Sequence, residues 1–336
     1  MGIKTLLPFL KDVTENSYLD SFKGLVAAVD ASCWLHKAIA ISYSQFGDDR
    51  RVKEICNSYL DLLERNKIRP LVVLNGLPLP GKDRERDNRA IKKLTNFGKS
   101  GKVTEARNAL AAAAEINHDL VCGFIQTCRQ KSIDYVVAPY EADAEMALLY
   151  EHGYYIAISE DSDLLAYGCQ KVLFKLRLDG VCEVIELGKV LQHLSLTQEE
   201  FLDMCIVAGC DYLENVRGIG IHTAHKLVTK EKTDFLAVLQ RKSICPSDYS
   251  SGFQRAKAIF RHQTVINPIN AETMPLTPWG QTPDKEAFLN PCGILLSNEY
   301  AVNLAVGNVD PRRAQLSGIP LHFPSRRVCG SLETWH

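Results

Sequence analysis

Short apolar runs separated by helical patterns occupy the first half of the chain, which has 336 residues. Each run has the length and the β-branched content of a buried strand. The runs are GLVAAVD (24–30), RPLVVLNG (69–76), DYVVAP (134–139), YYIAIS (154–159) and KVLFKL (171–176). Strands separated by helices of about ten or more residues are typical of a parallel sheet with right-handed crossovers. The pattern therefore predicts an α/β fold with a mainly parallel central sheet flanked by helices.

Helical patterns dominate from residue 195 onward. Thr197 and Glu200 have the spacing of a capping box at the start of one such helix, and short helices are predicted up to residue 263. The following stretch is rich in proline and glycine and is predicted to be irregular, with a poorly ordered end. Because no repeat or low-complexity linker divides the chain, we expect one domain over residues 1–270 and a C-terminal wrap or tail over residues 271–336.

Charge is segregated along the chain, although 39 basic and 40 acidic residues nearly cancel. From Lys82 to Arg107 nine basic residues stand against four acidic ones, whereas residues 132–170 contain eight carboxylates and no lysine or arginine. This distribution predicts one surface for a polyanion and another for cations. The eleven cysteines form no CxxC pair, which favours a reduced intracellular protein over a zinc ribbon. No run reaches the roughly 20 apolar residues that a membrane-spanning helix needs.

Six carboxylates are predicted to lie near the carboxyl ends of the strands, where open parallel sheets bind ligands. They are Asp30, Glu141, Asp143, Asp161, Asp163 and Asp211. Any one of them could be a helix cap or a solvated loop acid. Together they would repel one another unless a cation bound among them, and all-oxygen ligands favour Mg²⁺ or Mn²⁺ over zinc. Carboxylates that hold two such ions about 4 Å apart are typical of phosphodiester hydrolysis.

The positions of Glu141 and Asp143 set a condition on this site. Residues two apart do not share a face of a regular helix, so both can reach a metal only where the helix is just beginning. Pro139, directly before them, favours a helix start at this point.

Two further stretches suit a phosphate backbone. Basic residues follow the strand that ends at Asn75, and they form either a solvated helix face or a set of phosphate contacts. RGIGIHTAHK (217–226) is a glycine turn that opens a helix, and such a turn can present backbone amides to a phosphate. The residues predicted to contact nucleic acid are Arg84, Arg86, Lys92, Lys93, Arg217, Gly218, Ile219, Gly220, His222 and Lys226.

These segments, in this order, resemble the flap endonuclease family of 5′ structure-specific nucleases, and most closely its exonuclease 1 branch. The resemblance covers residues 1–270 and continues faintly through LAVGN at 304–308. It is carried by MGIKTLLPFL, AVDASCWLHKA, LVVLNGLPLP with the following Lys82 and Arg89, VAPYEADAEMALL, ISEDSDLLAYGC and AGCDYLENVRGIGIHTAHKL.

The resemblance implies a helical arch over the active site and a helix–two-turn–helix element that grips duplex DNA. It divides the domain into an N-terminal nuclease region (1–98), an internal nuclease region (125–210) and the helix–two-turn–helix region (211–265). It also implies two Mg²⁺ ions, with Mn²⁺ as a substitute, and K⁺ at the helix–two-turn–helix turn. The implied activity is 5′→3′ exonucleolytic cleavage of double-stranded DNA, with 5′-flap cleavage, in nuclear DNA repair, recombination and replication. The expected partners are duplexes with 5′ ends, flaps or gaps.

The resemblance also assigns roles to individual positions. Lys82 and Arg89 correspond to arch residues that steer the scissile phosphate, and His36 to a residue against the end of the substrate. Gly2 corresponds to a small residue near the active site, and Gly218, Ile219 and Gly220 to the turn that meets the duplex. The implied metal ligands are Asp30, Asn75, Glu141, Asp143, Asp161, Asp163 and Asp211, and Asp30 and Asp163 with Lys82 and Arg89 are the implied catalytic residues.

The chain departs from the family pattern at four positions. Ser32 replaces an aromatic residue of the exonuclease branch, Ala208 and Asn215 replace serines near the implied K⁺ site, and Asn75 replaces an aspartate. An amide oxygen can ligate a hard cation, but it brings no negative charge and does not bridge two metals as a carboxylate does.

Three interpretations of Asn75 remain open. The substitution was introduced to trap a substrate complex, or it is natural in an impaired nuclease, or it is natural in a protein that binds DNA without cutting it. Besides the nuclease activity that the resemblance implies, a second functional hypothesis is therefore a DNA-end or junction binding protein with an impaired site. A third, an RNA-cleaving nuclease, is disfavoured because the 217–226 turn suits a duplex.

Overall fold

A twisted sheet lies at the centre of the protein, whose computed structural model describes residues 2–82, 116–241, 245–280 and 285–311. Its strands are β1 (Thr14–Tyr18), β2 (Val26–Asp30), β3 (Arg69–Leu74), β4 (Asp134–Val137), β5 (Ile156–Ile158), β6 (Lys171–Phe174) and β7 (Val181–Glu186). The order across the sheet is β1–β7–β6–β5–β2–β3–β4. The neighbouring pairs from β6 to β4 are parallel, whereas β7 is antiparallel to both β6 and β1. The predicted mainly parallel fold is therefore confirmed.

The sequence pattern missed the two strands at the antiparallel edge. β1 is the polar segment TENSY, and its side chains are exposed or half-buried, so it carries no apolar signal. β7 alternates buried and half-buried residues and follows a turn directly after β6. Tertiary pairing of the backbone, rather than apolar content, places these strands in the sheet.

Helices cover both faces of the sheet, and 3₁₀ turns lie at Lys11–Val13, Leu19–Phe22, Pro80–Lys82 and Lys232–Asp234. The helices before residue 200 are α1 (Leu6–Phe9), α2 (Ala31–Phe46), α3 (Val52–Arg65), α4 (His118–Gln130), α5 (Ala142–Glu151), α6 (Asp163–Tyr167), α7 (Leu187–Leu194) and α8 (Gln198–Ala208). Those that follow are α9 (Ile221–Glu231), α10 (Phe235–Gln240), α11 (Tyr249–His262), α12 (Lys285–Leu289) and α13 (Asn298–Ala305). The predicted capping box of Thr197 and Glu200 is present at the start of α8.

Alternate residues of the central strands enter two separate apolar cores. On one face, Val72 and Leu74 of β3 pack with residues of α2, α3 and α4. On the other face, Leu71 and Val73 pack with residues of α5, α8, α9 and α11. A sheet buried on both faces explains why its strands read as nearly continuous apolar runs.

The region after residue 263 is more regular than its composition suggests. It forms a two-stranded sheet of β8 (Thr264–Ile266) and β9 (Thr273–Pro275), followed by α12 and α13. The expectation of an irregular stretch was therefore wrong for these residues. Cys292, Ala301 and Ala305 belong to the same apolar core as α5 and α11, so this region packs on the domain. The C-terminal end that was expected to be poorly ordered, residues 322–336, lies outside the described residues, as does all but the last residue of VTEARNALAAAAEI (103–116), whose strong helix formers predict a helix.

None of the ten cysteines that the structure describes forms a disulfide. Among the described residues, no helix has both the length and the apolar character that bilayer crossing requires.

Candidate metal centre and nucleic-acid interface

Four parallel strands deliver polar residues to one edge of the sheet. Asp30 ends β2, Asn75 follows β3, Glu141 lies beyond β4, and Asp161 lies beyond β5. Since β5, β2, β3 and β4 are consecutive neighbours and parallel, their carboxyl ends meet at the same edge. The position predicted from strand ends is therefore the position in the structure.

The condition on Glu141 and Asp143 is met. Glu141 is the N-cap residue of α5 with extended backbone angles, and Asp143 lies in the first turn of that helix. Asp163 also lies at the start of a helix, as the first residue of α6. Helix starts allow neighbouring carboxylates to converge, and the positive end of the helix dipole stabilises them.

The carboxylates at this edge are buried and destabilise one another. Burial raises the pKa of Asp143, and the charges of Asp161 and Asp30 raise it further. Burial likewise raises the pKa of Asp163, with an added contribution from Asp161 and Asp211. One oxygen of Asp143 and one of Asp163 are buried without a hydrogen-bond partner among the described residues. Such a cluster needs compensating positive charge.

Lys82 supplies part of that charge. Its ammonium lies 3.2 Å from Glu141 Oε2 and 2.8 Å from Asp211 Oδ2, with only 12% of the side chain exposed. Burial alone would lower the pKa of Lys82, but Glu141, Asp211 and Asp143 together raise it well above its usual value. This lysine therefore stays charged and draws carboxylates from two separate segments together.

Among the described residues, no three His, Cys, Asp or Glu side chains are arranged as a ready set of ligands for one ion. The donor chemistry nevertheless fits a hard divalent cation, because the cluster is all oxygen and carries two buried oxygens without partners. The assignment of individual residues as metal ligands stays a prediction.

Asn75 contacts the helix that carries two of these acids. Its Oδ1 accepts a hydrogen bond from Ala142 N at 2.8 Å. An amide NH₂ cannot accept, so the backbone N–H fixes which end of the Asn75 side chain faces α5. Glu141 makes no side-chain cap of its own, and Asn75 therefore caps α5 from a neighbouring strand.

Asp30 is held by four hydrogen bonds, two of which come from side chains that the sequence pattern did not single out. The backbone amides of Ser32 and Cys33 donate to Oδ1, so that Asp30 also caps α2. Cys33 Sγ and Ser159 Oγ each donate to Oδ2 at 2.8 Å. Burial, followed by the charge of Asp30, raises the pKa of Cys33 well above its usual value, which keeps the thiol protonated and able to donate. The only sequence signal was the position of Cys33 in the first turn after Asp30.

Gly2 touches the acidic cluster directly. A Cβ atom at this position would lie 2.2 Å from Asp161 Oδ1 and 2.8 Å from Asp163 Oδ1. Its φ of +86° also belongs to the left-handed region that favours glycine. Both constraints explain a small residue at this position.

His36 is exposed on α2 beside a surface pocket of about 420 Å³. Cys33, Lys37, Glu160 and Lys175 line the same pocket, next to the Asp30 end of the site. This location is compatible with contact to the end of a substrate, and the role itself stays a prediction.

The predicted turn at 217–226 joins α8 and α9. Arg217, His222 and Lys226 are exposed there, as are both glycines. The predicted contact by Ile219 needs correction, because its side chain is only 3% exposed and its backbone N–H donates to Val216 O. Within this turn, the predicted contacts with a phosphate backbone that stay predictions are those of Gly218, Gly220 and the exposed basic residues.

Asn215 occupies the inside of this turn. Its Nδ2 donates to Ile219 O at 2.8 Å and to Val216 O at 3.3 Å. These hydrogen bonds tie the Asn215 side chain to two carbonyl oxygens of the turn. Within the part of the chain described, the turn is thus stabilised by an amide where relatives were expected to have serine.

Of the six basic residues between positions 82 and 93 that were predicted to contact nucleic acid, the structure describes only one. Lys82 lies in the carboxylate cluster, whereas Arg84, Arg86, Arg89, Lys92 and Lys93 lie outside the described residues.

The fold and the residues at the carboxyl edge of the sheet define a class of α/β protein in which carboxylates and a buried lysine lie close together where parallel strands end. Two family models match the chain, the XPG N-terminal domain over residues 1–96 and the XPG I-region over residues 132–211. The chain belongs to this XPG family of nucleases, the flap endonuclease family that its motifs resemble.

Curated relatives extend the match to most of the chain. Exonuclease 1 of Xenopus laevis is 35% identical over 92% of this chain and 45% of its own length. The DNA damage-inducible protein DIN7 of Saccharomyces cerevisiae is 30% identical over 80% of this chain and 67% of its own length. The chain spans less than half the length of the exonuclease 1 relatives from three animals.

Solved structures share the fold. The catalytic core of Rad2 in complex with a DNA substrate has a TM-score of 0.60 at 17% identity, covering 99% of this chain and 93% of that one. Flap endonuclease-1 from Methanococcus jannaschii has a TM-score of 0.55 at 22% identity, covering 89% of this chain and 93% of that one.

Proposed function

We propose that this chain is a metal-dependent 5′ nuclease of DNA repair, recombination and replication. Its reaction would be 5′→3′ exonucleolytic cleavage of double-stranded DNA, with cleavage of 5′ flaps. The observation that carries the proposal is the cluster of buried acids Asp143, Asp161 and Asp163, which meets Asp30 at the ends of parallel strands. The names of the exonuclease 1 relatives and the DNA in the Rad2 complex support the substrate class.

Mg²⁺ is the cation that these residues would hold, with Mn²⁺ as a substitute. The ligands would be Asp30, Asn75, Glu141, Asp143, Asp161, Asp163 and Asp211. Two Mg²⁺ ions supply charge stabilisation for the attacking and leaving oxygens of a phosphodiester. Burial, and after it the charge of neighbouring acids, raises the pKa of Asp143 and Asp163, and the ions would neutralise that repulsion.

The other residues of the site would position the nucleic acid. Lys82 carries a positive charge among the carboxylates and can pair with a scissile phosphate, together with Arg89. His36 would lie against the end of the substrate, and Arg84, Arg86, Lys92 and Lys93 along its backbone. The exposed residues Arg217, His222 and Lys226 would contact duplex phosphates beside the amides at the start of α9, giving binding that weakens with added salt.

K⁺ at the helix–two-turn–helix turn is also part of the proposal, and it would lie beside the carbonyl oxygens to which Asn215 donates. Comparing duplex affinity in K⁺ and in Na⁺ at equal ionic strength tests it. A nuclear location is part of the proposal and is tested by imaging a fluorescent fusion.

Asn75 supports a second candidate function, a DNA-end or junction binding protein with an impaired site. Its one carboxamide oxygen already accepts from Ala142 N, and its NH₂ group brings no negative charge.

One experiment separates the two functions. A 5′-recessed, end-labelled duplex is incubated with Mg²⁺ and with the native chain, Asn75→Asp, or Asp163→Ala in each background. The nuclease predicts Mg²⁺-dependent shortening that Asp163→Ala abolishes while duplex binding persists. Cleavage that survives Asp163→Ala would contradict the proposed site, and binding without cleavage by both the native chain and Asn75→Asp would establish the binding protein.

A further inference from the structure

A chain of three hydrogen bonds runs through the interior beside the acidic cluster. Tyr212 and Tyr167 hydroxyls are 2.7 Å apart, Tyr167 Oη donates to Gln263 Oε1 at 2.9 Å, and Gln263 Nε2 donates to Glu141 O at 3.0 Å. All three side chains are buried, and Gln263 is fully so. Burial strengthens such hydrogen bonds and makes each unpaired member costly.

The direction of these bonds is determined. Glu141 O can only accept, which fixes the Gln263 amide with its NH₂ toward α5 and its oxygen toward Tyr167. Because the one hydrogen of the Tyr167 hydroxyl is then used, Tyr212 donates to Tyr167. Each of these polar groups relies on one specific partner, so removing one side chain leaves its neighbour without a hydrogen bond.

The network is attached at three points to segments that carry proposed metal ligands. Tyr167 is the last residue of α6, which Asp163 begins. Tyr212 directly follows Asp211 in the chain. Gln263 holds the main chain of Glu141, the first residue of the acidic helix start. Three segments that are distant in sequence are thus linked beside the carboxylates that they present.

Two further contacts make the network rigid. The ring of Phe260 on α11 packs against Tyr167 and Tyr212, with ring centroids 4.8 and 5.0 Å apart. Ile266 N on β8 donates to Glu145 Oε2 on α5 at 2.9 Å, which adds a second hydrogen bond between the 263–266 and 141–145 segments. Gln263 and Ile266 lie outside both stretches that the family models match.

We propose that Gln263, Tyr167 and Tyr212 are positioning residues that set the separation of Glu141, Asp163 and Asp211, and thereby the affinity of the site for divalent cations. The inference rests on the proposed metal-dependent function. Hydrogen-bond partners outside a metal's ligands typically change metal affinity by about 10–100-fold when they are mutated. The network supports backbone and loop positions rather than single ligand atoms, so the lower end of that range, about tenfold, is expected.

The test is a calorimetric titration of the metal-free protein with Mn²⁺, in the native chain and in Tyr167→Phe, Gln263→Leu and the double variant. Tyr249→Phe is the matched control, because the Tyr249 hydroxyl is also buried but has no hydrogen-bond partner among the described residues. We expect Tyr167→Phe and Gln263→Leu each to weaken Mn²⁺ binding by about tenfold, and the double variant to weaken it no more than Gln263→Leu alone. Tyr249→Phe should leave Mn²⁺ affinity unchanged.

Two accompanying measurements separate positioning from a general loss of structure. The melting temperature in EDTA reports stability, and duplex affinity without divalent metal reports the DNA-binding surface. A positioning role predicts weaker Mn²⁺ binding and a raised Mg²⁺ requirement for cleavage, with duplex affinity unchanged. Lower melting temperatures with native Mn²⁺ affinity would overturn the inference and leave the proposed function intact. If neither the native chain nor Asn75→Asp bound Mn²⁺, the proposed function would fail and the inference with it.

Discussion

Asn75 Oδ1 lies 2.8 Å from Ala142 N and accepts its hydrogen bond, so that the strand end β3 caps the helix that presents Glu141 and Asp143. This contact gives the residue a structural role that is independent of charge. Gly76 permits the close approach, because a Cβ there would lie 1.9 Å from Ala138 O. An asparagine can therefore preserve the shape of the site while it lowers the negative charge.

Asn75→Asp should keep the cap and add a charge to the metal site. We expect Mg²⁺-dependent cleavage of a recessed duplex to rise by about a hundredfold, the scale of one transition-state charge contact. In EDTA the added carboxylate should lower the melting temperature, because it joins a cluster that already repels. Single-turnover cleavage and thermal melts with and without Mg²⁺ measure both effects.

Asn75→Ala is the control for that variant. It removes the cap, at about 1 kcal/mol of stability, and adds no charge, so cleavage should not increase. Equal cleavage rates for the native chain and Asn75→Asp would show that the amide oxygen suffices.

Lys82→Met should make stability depend on divalent metal. Without the ammonium, Glu141 and Asp211 lose their shared partner, so the melting temperature in EDTA should fall and Mg²⁺ should restore most of it. Lys257→Met is the matched control, because Lys257 is half-buried and lies 2.5 Å from Asp203 on α8, in a pair outside the acidic cluster. A loss at Lys257 that Mg²⁺ also restored would contradict this account.

Gly2→Ala should weaken the metal site specifically. Gly2 and Gly24 both have a φ of +86°, but a Cβ would meet neighbours within 4 Å only at Gly2, the carboxylates of Asp161 and Asp163 among them. Both alanine variants should lose about 1 kcal/mol through backbone strain. Only Gly2→Ala should also weaken Mn²⁺ binding in a calorimetric titration, and a similar loss in Gly24→Ala would point to strain alone.

His262 should make the fold less stable in mild acid. Burial lowers the pKa of this imidazole, whose Nδ1 lies 2.7 Å from Thr277 O and whose ring stacks on Trp279. The unfolded chain therefore binds a proton more readily than the folded one, and stability is lost as the pH falls below the ordinary value of about 6.5. Denaturant unfolding in EDTA between pH 5 and pH 7 should show this loss relative to His262→Gln, and parallel curves for the two proteins would rule it out.

The fold and the position of the acids were accessible from the sequence because both are local patterns. Apolar runs identify strands that are buried on both faces, and an acid that ends such a run lies at the carboxyl edge. β1 was not accessible, since its polar segment TENSY joins the sheet only through pairing with β7. The regular elements after residue 263 were missed for a similar reason, because their proline and glycine content resembles that of loops.

Within the site, the sequence identified charged residues but not the neutral groups that hold them. Cys33 and Ser159 donate to Asp30 across a separation of 126 residues from each other, which no local pattern records. Ile219 was assigned to the DNA surface because the resemblance places its turn against the duplex, whereas its side chain belongs to the apolar core. Burial is a property of the whole fold, and the spacing of residues in one turn does not reveal it.

The hydrogen bond from Gln263 to Glu141 joins residues 122 positions apart, and this separation affects folding during synthesis. The acids from Asp30 to Asp211 are synthesised before the segment that fastens them. A chain still emerging from the ribosome at residue 262 would contain every proposed ligand without its last structural bond, and contacts so distant in sequence form late. Metal affinity should therefore reach its full value only when the 263–266 segment has docked, and nascent chains that end before this segment should bind divalent metal about tenfold more weakly.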